Sequence, residues 1–402
     1  MAKMKSKNVR RIESVEKVDS KKAVDTQKSA KPKSKSKKVT SFGSGEGETQ
    51  ASGKDYQRRK KIPEIQNVEK TVLQSIIGQD KQVRQLITAI YRAINFKSIK
   101  SNVLIIGNSG TGKTETIKQV AKRLHIPYTI EDATKYTQEG YYGADVNDMI
   151  YNLLENAEMD MERAQNGIII IDEIDKKAGH EEHDVSGTEV LKSLLKIIEG
   201  TRIKIPSPED PFDEEIVDFD TKNIIIIFLG AFSGLEKIRD KRLNTNPLGF
   251  VGNNQEKKEN GRFLKQDLVE YGLPEEFVGR IDTIIEMNKL TKQDLALILR
   301  KSKLSIFRRY QAELREKGIT LSYSGKLFDC IAEESLALDT GARELSNTVN
   351  YIFENIMYDI LANPGKYSKC TLDLDIVHDN SKYELSYCII KSRHGQSEKS
   401  FK

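Results

Sequence analysis

The sequence predicts an α/β protein. An open parallel sheet carries a phosphate-binding loop, a smaller α+β domain follows it, and a disordered basic segment precedes it. Three observations lead there. Residues 107–114 read Gly-Asn-Ser-Gly-Thr-Gly-Lys-Thr, between the apolar run Val103-Leu104-Ile105-Ile106 and a helix-like stretch, Glu115 to Leu124. Residues 167–175 read Gly-Ile-Ile-Ile-Ile-Asp-Glu-Ile-Asp, an apolar run that ends in carboxylates. From 101 to 287 apolar runs alternate with amphipathic stretches, the pattern of a parallel sheet covered by helices.

The first stretch fits the pattern G-x-x-x-x-G-K-[ST] at every fixed position. Gly107, Asn108, Ser109, Gly110, Thr111 and Gly112 are expected to turn backbone N–H groups inward around phosphate oxygens, helped by the positive end of the following helix. Lys113 would reach the β and γ phosphates, and Thr114 would ligate Mg²⁺. The four isoleucines suit a strand buried on both faces. Asp172 falls at its carboxyl end, where open α/β sheets bind ligands, and would hold Mg²⁺ through water. Glu173 would polarise the attacking water, since phosphoryl transfer needs an oriented nucleophile more than covalent chemistry.

The other elements follow in order. Residues 62–78 read as a linker, and Gln79 to Phe96 as a helix with Val83, Leu86, Ile87, Ile90, Tyr91 and Ile94 at helical spacing. Strands are expected at 103–106, 168–171 and 224–228, with shorter ones near 128–130 and 283–286. Helices should cover 114–124, 145–164 and 186–199. Ile205 to Phe219 reads as an acidic, proline-containing loop, and 239–262 as a long polar one. After Asn288 the pattern changes. Thr291 looks like an N-cap for a helix running to about Lys317, followed by a strand, Thr320–Tyr323. Helices at 324–336 and 342–361 and an alternating β-pair at 370–377 and 383–390 complete the second domain. The expected division is a tail at 1–61, a nucleotide-binding domain at 62–287, a small domain at 288–390 and a polar, frayed end at 391–402.

Charge is unevenly placed. Residues 1–61 hold 19 Lys+Arg against 7 Asp+Glu, and the remainder holds 46 against 53. The head is rich in Ser and poor in large apolar side chains, so it cannot offset its ordering entropy and is expected to be disordered. Its run Lys31 to Lys38 is compatible with nucleic acid, anionic lipid or an acidic protein face, but reads first as a solvated tail with no specific partner. It lacks the apolar stretch of a secretory signal, and no apolar run approaches the about 18 residues of a membrane span. Three cysteines at wide spacing, Cys330, Cys370 and Cys388, make neither a disulfide framework nor a metal site and suit a reducing cytoplasm. His180 and His183 lie in a polar, acid-flanked stretch rather than on a rigid ligand-bearing helix.

The strand, phosphate loop, acidic strand end and following small domain resemble the AAA+ ATPases. Several short stretches, in order across 66–390, narrow the resemblance to the ClpX family of protein unfoldases. They are Ile-Ile-Gly-Gln (76–79), Asp-Ala-Thr (132–134), Glu-Gly-Tyr-Tyr-Gly (139–143), Asp-Val-Ser-Gly (184–187) and Ile-Ile-Glu-Gly-Thr (197–201). Gly-Ala-Phe (230–232), Glu-Phe-Val-Gly-Arg (276–280) and Thr-Gly-Ala-Arg (340–343) complete the series.

The resemblance implies ATP with Mg²⁺ as fuel, a homo-hexameric ring, and unfolded or tagged proteins as substrates. Arg280 resembles the arginine finger that reaches into a neighbouring subunit's site, and Arg343 the sensor-2 arginine that ties the interdomain angle to the nucleotide. Ile76 and Ile77 resemble the apolar pair that packs on adenine, although core packing explains either alone. Tyr141 and Tyr142 fall in the first pore loop, Tyr142 standing where the family has a small aliphatic residue. Leu248, Gly249 and Phe250 match the tripeptide that docks on a ClpP-type peptidase.

Departures matter too. Residues 1–61 contain no cysteine, so the family's four-cysteine zinc-binding domain is not seen there. The loop at 205–219 carries Glu209, Asp210, Asp213, Glu214 and Glu215 where the family has a basic cluster, which should repel an anionic peptide terminus. No polar sensor-1 side chain is evident at 228–230. Two other functions fit the motifs: an AAA+ remodeller of protein or nucleoprotein complexes without a peptidase, and a nucleotide-gated scaffold whose basic head binds nucleic acid.

Overall fold

Alternation of side chains along apolar strands, with both faces covered, organises the larger part of the molecule. The computed structural model describes residues 63–96, 101–136, 146–179, 185–206, 216–244, 261–337, 341–376, 383–391 and 400–401. Strands β1 (Val103–Ile106), β2 (Tyr128–Asp132), β3 (Ile168–Asp172), β4 (Arg202–Pro206), β5 (Ile216–Asp220), β6 (Ile225–Gly230) and β7 (Thr283–Glu286) precede Asn288. Five of them form a parallel sheet in the order β2-β3-β6-β1-β7, while β4 and β5 pair with each other as an antiparallel hairpin.

The isoleucine run explains itself in this sheet. Ile169 and Ile171 join Leu104, Ile106, Ile226 and Phe228 in one apolar cluster. Ile168 and Ile170 join Val103, Ile105, Ile225 and Ile227 in the other. Successive side chains point to opposite faces, so a strand between two helical layers needs apolar residues at every position. The layers come from α1 (Ile65–Val72), α2 (Asp80–Asn95), α3 (Lys113–Leu124), α4 (Val146–Asn156), α5 (Met161–Gln165), α6 (Val185–Glu199), α7 (Leu235–Asn244), α8 (Lys265–Tyr271) and α9 (Glu275–Gly279).

The second part has its own sheet and core. It comprises α10 (Lys292–Lys301), α11 (Ile306–Glu316), β8 (Thr320–Tyr323), α12 (Leu327–Ala337), α13 (Ala342–Ala362), β9 (Tyr367–Ile376), β10 (Tyr383–Lys391) and β11 (Ser400–Phe401). The sheet order is β11-β10-β9-β8, with β8 and β9 parallel and the other pairs antiparallel. Phe307 centres this core, its ring edge-on to Phe328 at 4.8 Å and to Phe353 at 5.6 Å.

Six expectations are corrected. The helix expected over 145–164 is two, α4 and α5. The chain breaks where Glu158 and Met159 take left-handed φ of 62° and 59°, and Asp160 then caps α5 by accepting the Arg163 N–H. The helix expected from Thr291 to Lys317 also divides, because Ser302 turns its hydroxyl to Ser75 O at 2.6 Å and Ser305 caps α11. The linker at 62–78 contains α1, which buries Val68 and Val72 in the sheet's core. Both ends of the stretch expected to be loop at 205–219 are strand, in β4 and β5, and α7 extends into the stretch expected to be loop at 239–262. At the frayed end, Ser400 and Phe401 pair with β10.

Phe228 is fully buried in β6 and meets Phe277 of α9 edge-on at 4.9 Å. Phe228→Ala removes that contact from the sheet's core. It should cost about 3–5 kcal/mol of unfolding free energy, measured by denaturant titration.

Candidate nucleotide site

Three structural units meet at the phosphate loop. The loop leaves β1 at Gly107 and enters α3 at Lys113. Gly110 and Gly112 take φ of 74° and 89°, a left-handed conformation that glycine adopts without strain. Gly107 is needed for a different reason: a Cβ there would lie 2.7 Å from the Met287 Cβ. Thr111 closes the loop, its hydroxyl donating to Asn108 O at 2.8 Å. Lys113 Nζ folds back over the loop, donating to Gly107 O at 2.5 Å and Asn108 O at 3.1 Å.

The acidic strand end lies beside this lysine. Thr114 Oγ1 donates to Asp172 Oδ2 at 3.3 Å, and the Glu173 N–H donates to Asp172 Oδ1 at 2.9 Å. Glu173 has a left-handed φ of 58° and an exposed side chain. Such backbone is uncommon for a residue with a long side chain and recurs at functional sites. Burial lowers the Lys113 pKa from 10.5, Arg343 adds to the lowering, and Asp172, Asp175 and Glu173 oppose it. The field of Arg343, in the first turn of α13, thus reaches the lysine of the loop.

The second domain also touches the loop through its backbone. The Ala342 N–H donates to Gly110 O at 3.1 Å, and Gly341 passes so close that a Cβ would lie 3.1 Å from Gly110 and Ser109 backbone atoms. Beside this seam is a cavity of 180 Å³, walled by Ile76, Ile77, Gly110, Gly112, Ala342 and Leu345. Ile76 is at once a wall of this cavity and a member of the sheet's core.

Arg280 follows α9, away from these groups in sequence. Its guanidinium pairs with Glu199 at 2.6 Å, with the two side chains 55% and 43% exposed. Its carbonyl accepts the Asn102 side-chain amide at 2.9 Å, which fixes the backbone at the foot of β1. Tyr141, Tyr142, Leu248, Gly249 and Phe250 lie outside the described residues, as do His180, His183 and the basic head.

One site residue was missed by sequence reasoning. Gln79 is fully buried and donates to Thr111 O at 3.2 Å and Asn288 O at 2.9 Å, while its Oε1 accepts the Asn288 N–H at 2.9 Å. It stood in the stretch 76–79, but a glutamine before a helix gives no sign by itself of being buried.

A family model described as an AAA domain (Cdc48 subfamily) matches residues 98–284. The C-terminal, D2-small domain of ClpB protein matches 290–369, and a family of unknown function matches 49–128. A ClpX ATP-binding subunit of Clp protease from Bacteroides thetaiotaomicron is 33% identical over 83% of this chain and 86% of its own. The chain belongs to the ClpX family. A ClpX from Treponema denticola is 35% identical over 76% of this chain and 79% of its own. One from Borrelia duttonii is 37% identical over 71% and 72%. Like the rest of the ClpX family it is an AAA+ ATPase, with the activity of an ATP-dependent Clp unfoldase. Among the described residues no helix is long and apolar enough to cross a membrane.

The lowered Lys113 pKa sets a pH dependence for nucleotide affinity. A bound triphosphate favours the charged amine, so above the lysine's own pKa binding must take up a proton. Affinity should therefore fall as pH rises towards 10.5, the ordinary lysine value. Arg343→Ala removes one cause of the lowering and should move the onset of the fall to higher pH, read by titration of a fluorescent nucleotide.

Proposed function

We propose that this ClpX-family chain works as a homo-hexameric ring that threads unfolded or tagged proteins through its pore and delivers them to a ClpP-type peptidase. The observation that carries the reading is the seam. A backbone hydrogen bond from Ala342 joins the small domain to the phosphate loop, and the charge of Arg343 is felt by Lys113 of that loop. Contacts to a γ-phosphate there, present in one state and lost in the other, would change the angle between the domains.

In this reading the head is 1–61, the large domain 62–287, the small domain 288–390 and the tail 391–402. N–H groups of residues 107–112 cradle the phosphates, and Lys113 leaves its two carbonyl partners for the β and γ oxygens. Thr114 and Asp172 offer hard oxygen donors 3.3 Å apart, a set suited to Mg²⁺, which keeps several of its waters. When bound, the ion neutralises charge on the β and γ oxygens. Glu173, exposed beside Asp172, orients the attacking water. Ile76 and Ile77 give the adenine an apolar wall. Arg280 reaches the next subunit's site by giving up an exposed ion pair, an exchange that costs about 0–1 kcal/mol. Arg343 senses the nucleotide from the small domain.

Tyr141 and Tyr142 push on the threaded chain, and Leu248, Gly249 and Phe250 dock on the peptidase. The working compartment is the cytoplasm.

Glu173→Gln should keep Mg-ATP binding and abolish turnover; hydrolysis at the parent rate would remove the base assignment. Arg280→Ala should lower turnover by about 10³-fold. Co-expressing the Glu173→Gln and Arg280→Ala chains should restore part of the ATPase, because mixed rings contain sites with an intact glutamate facing an intact arginine. No recovery in mixed rings would remove the contribution in trans. Leu248→Ala with Phe250→Ala should stop peptidase-dependent degradation and spare unfolding. Unchanged degradation would remove the docking assignment, and a parent chain that unfolds proteins but degrades none with the peptidase present would instead describe a remodeller acting without it.

A further inference from the structure

Three residues past Asp172, on the short turn Ile174–Lys177, lies Asp175, whose side chain the reaction as described does not use. The residue is only 4% exposed. A buried carboxylate must find hydrogen-bond donors or charge partners, and its surroundings show what it holds. Asp175 Oδ2 accepts the N–H of Phe232 at 3.1 Å in a buried hydrogen bond.

Phe232 follows the end of β6, where the sequence offered no polar sensor side chain. Its φ is +51°, a conformation that a bulky L-residue keeps only where its surroundings hold it. Its buried ring packs on Tyr271 of α8, centroids 5.2 Å apart. Gly230, two residues earlier, has no room for a side chain: a Cβ would lie 2.4 Å from the Phe232 ring and 2.8 Å from Asp175 Oδ1. The Gly230 carbonyl in turn accepts the N–H of Gly107, the first residue of the phosphate loop, at 3.2 Å. Ala231, Phe232 and Ser233 line one cleft with Gly107 and Asn108. The charge of Asp175 also acts on Lys113, together with those of Asp172, Glu173 and Arg343.

We propose that Asp175 is a positioning residue for ATP hydrolysis: by accepting the Phe232 N–H it holds the strained turn at 230–233 against the phosphate loop. A backbone turn thereby occupies the place where a polar sensor side chain is missing. Without the carboxylate, Phe232 relaxes from its left-handed conformation, and Gly230 loses its fixed register on Gly107. The inference rests on the assignment of residues 107–114 as the triphosphate site.

The test uses the full chain, three variants and one control variant, with thermal unfolding, affinity for a fluorescent Mg-ATP analogue and ATPase kcat measured on each. Asp175→Ala should lower kcat at least ten-fold and change nucleotide Kd less than three-fold. Asp175→Asn keeps an oxygen able to accept the Phe232 N–H and should return kcat to within about three-fold of the parent. Gly230→Ala leaves the carboxylate in place but drives a methyl group into the Phe232 ring, so it should match Asp175→Ala. Any of three results overturns the proposal: parent kcat in Asp175→Ala, Asp175→Asn as slow as Asp175→Ala, or weakened affinity in step with lost turnover. Should Asp175→Ala fail to fold, parent kcat in Gly230→Ala overturns it on its own. Lys113→Ala is the control for the site: undiminished nucleotide binding there removes the site assignment, whatever Asp175 does.

Discussion

The arrangement at the phosphate loop turns on a backbone hydrogen bond across the seam, from Ala342 N–H to Gly110 O. Phosphate loops need free N–H groups for their ligand, so a second domain can attach to such a loop only through its carbonyls. Gly341 makes the approach possible, because with φ of 61° and no side chain it brings the start of α13 against the loop. Once that helix is seated, Arg343 in its first turn lies within electrostatic reach of Lys113. The wall of the cavity beside Ile76 and Ile77 then comes from both domains. In the proposed mechanism, this seam is where a change in phosphate contacts would become a change in domain angle.

The sheet was legible in the sequence wherever a single rule applied. A run of isoleucines bounded by Gly167 and Asp172 can only be a strand covered on both faces, and all four are buried. The phosphate loop was legible because its spacing encodes backbone geometry directly. Breaks in helices were harder to read. Nothing local stops the helix at Asn156, since Ala157, Glu158 and Met159 are adequate helix residues, and two of them take left-handed backbone. The interruption at Ser302 arises from a tertiary partner, the Ser75 carbonyl, which lies 227 residues away. Periodicity cannot report such a contact. The short helix α1 was hidden for a related reason, since its burial depends on a surface made elsewhere.

The site was legible to different degrees for the same physical reason. Lys113, Thr114 and Asp172 stand at spacings fixed by neighbouring backbone; Thr114 donates to Asp172, whose charge acts on Lys113. Gln79 and Asp175 act on backbone groups distant in the chain, so their positions are defined only by the finished fold. Arg280 falls between these cases. Family resemblance singled it out, and in the folded chain it rests in an exposed pair with Glu199.

Gln79 binds the loop carbonyl of Thr111 with the same amide that grips both backbone groups of Asn288, where the chain passes to the small domain. The two domains are therefore joined by parallel linkages, among them one through Gly341 and Ala342, one through this glutamine and one from the Ser302 hydroxyl to Ser75 O. Parallel linkages buffer each other: losing one leaves the others to carry the strain. Sequence drift at one position is then tolerated only while the others stay intact, so they should show strong epistasis rather than additive effects.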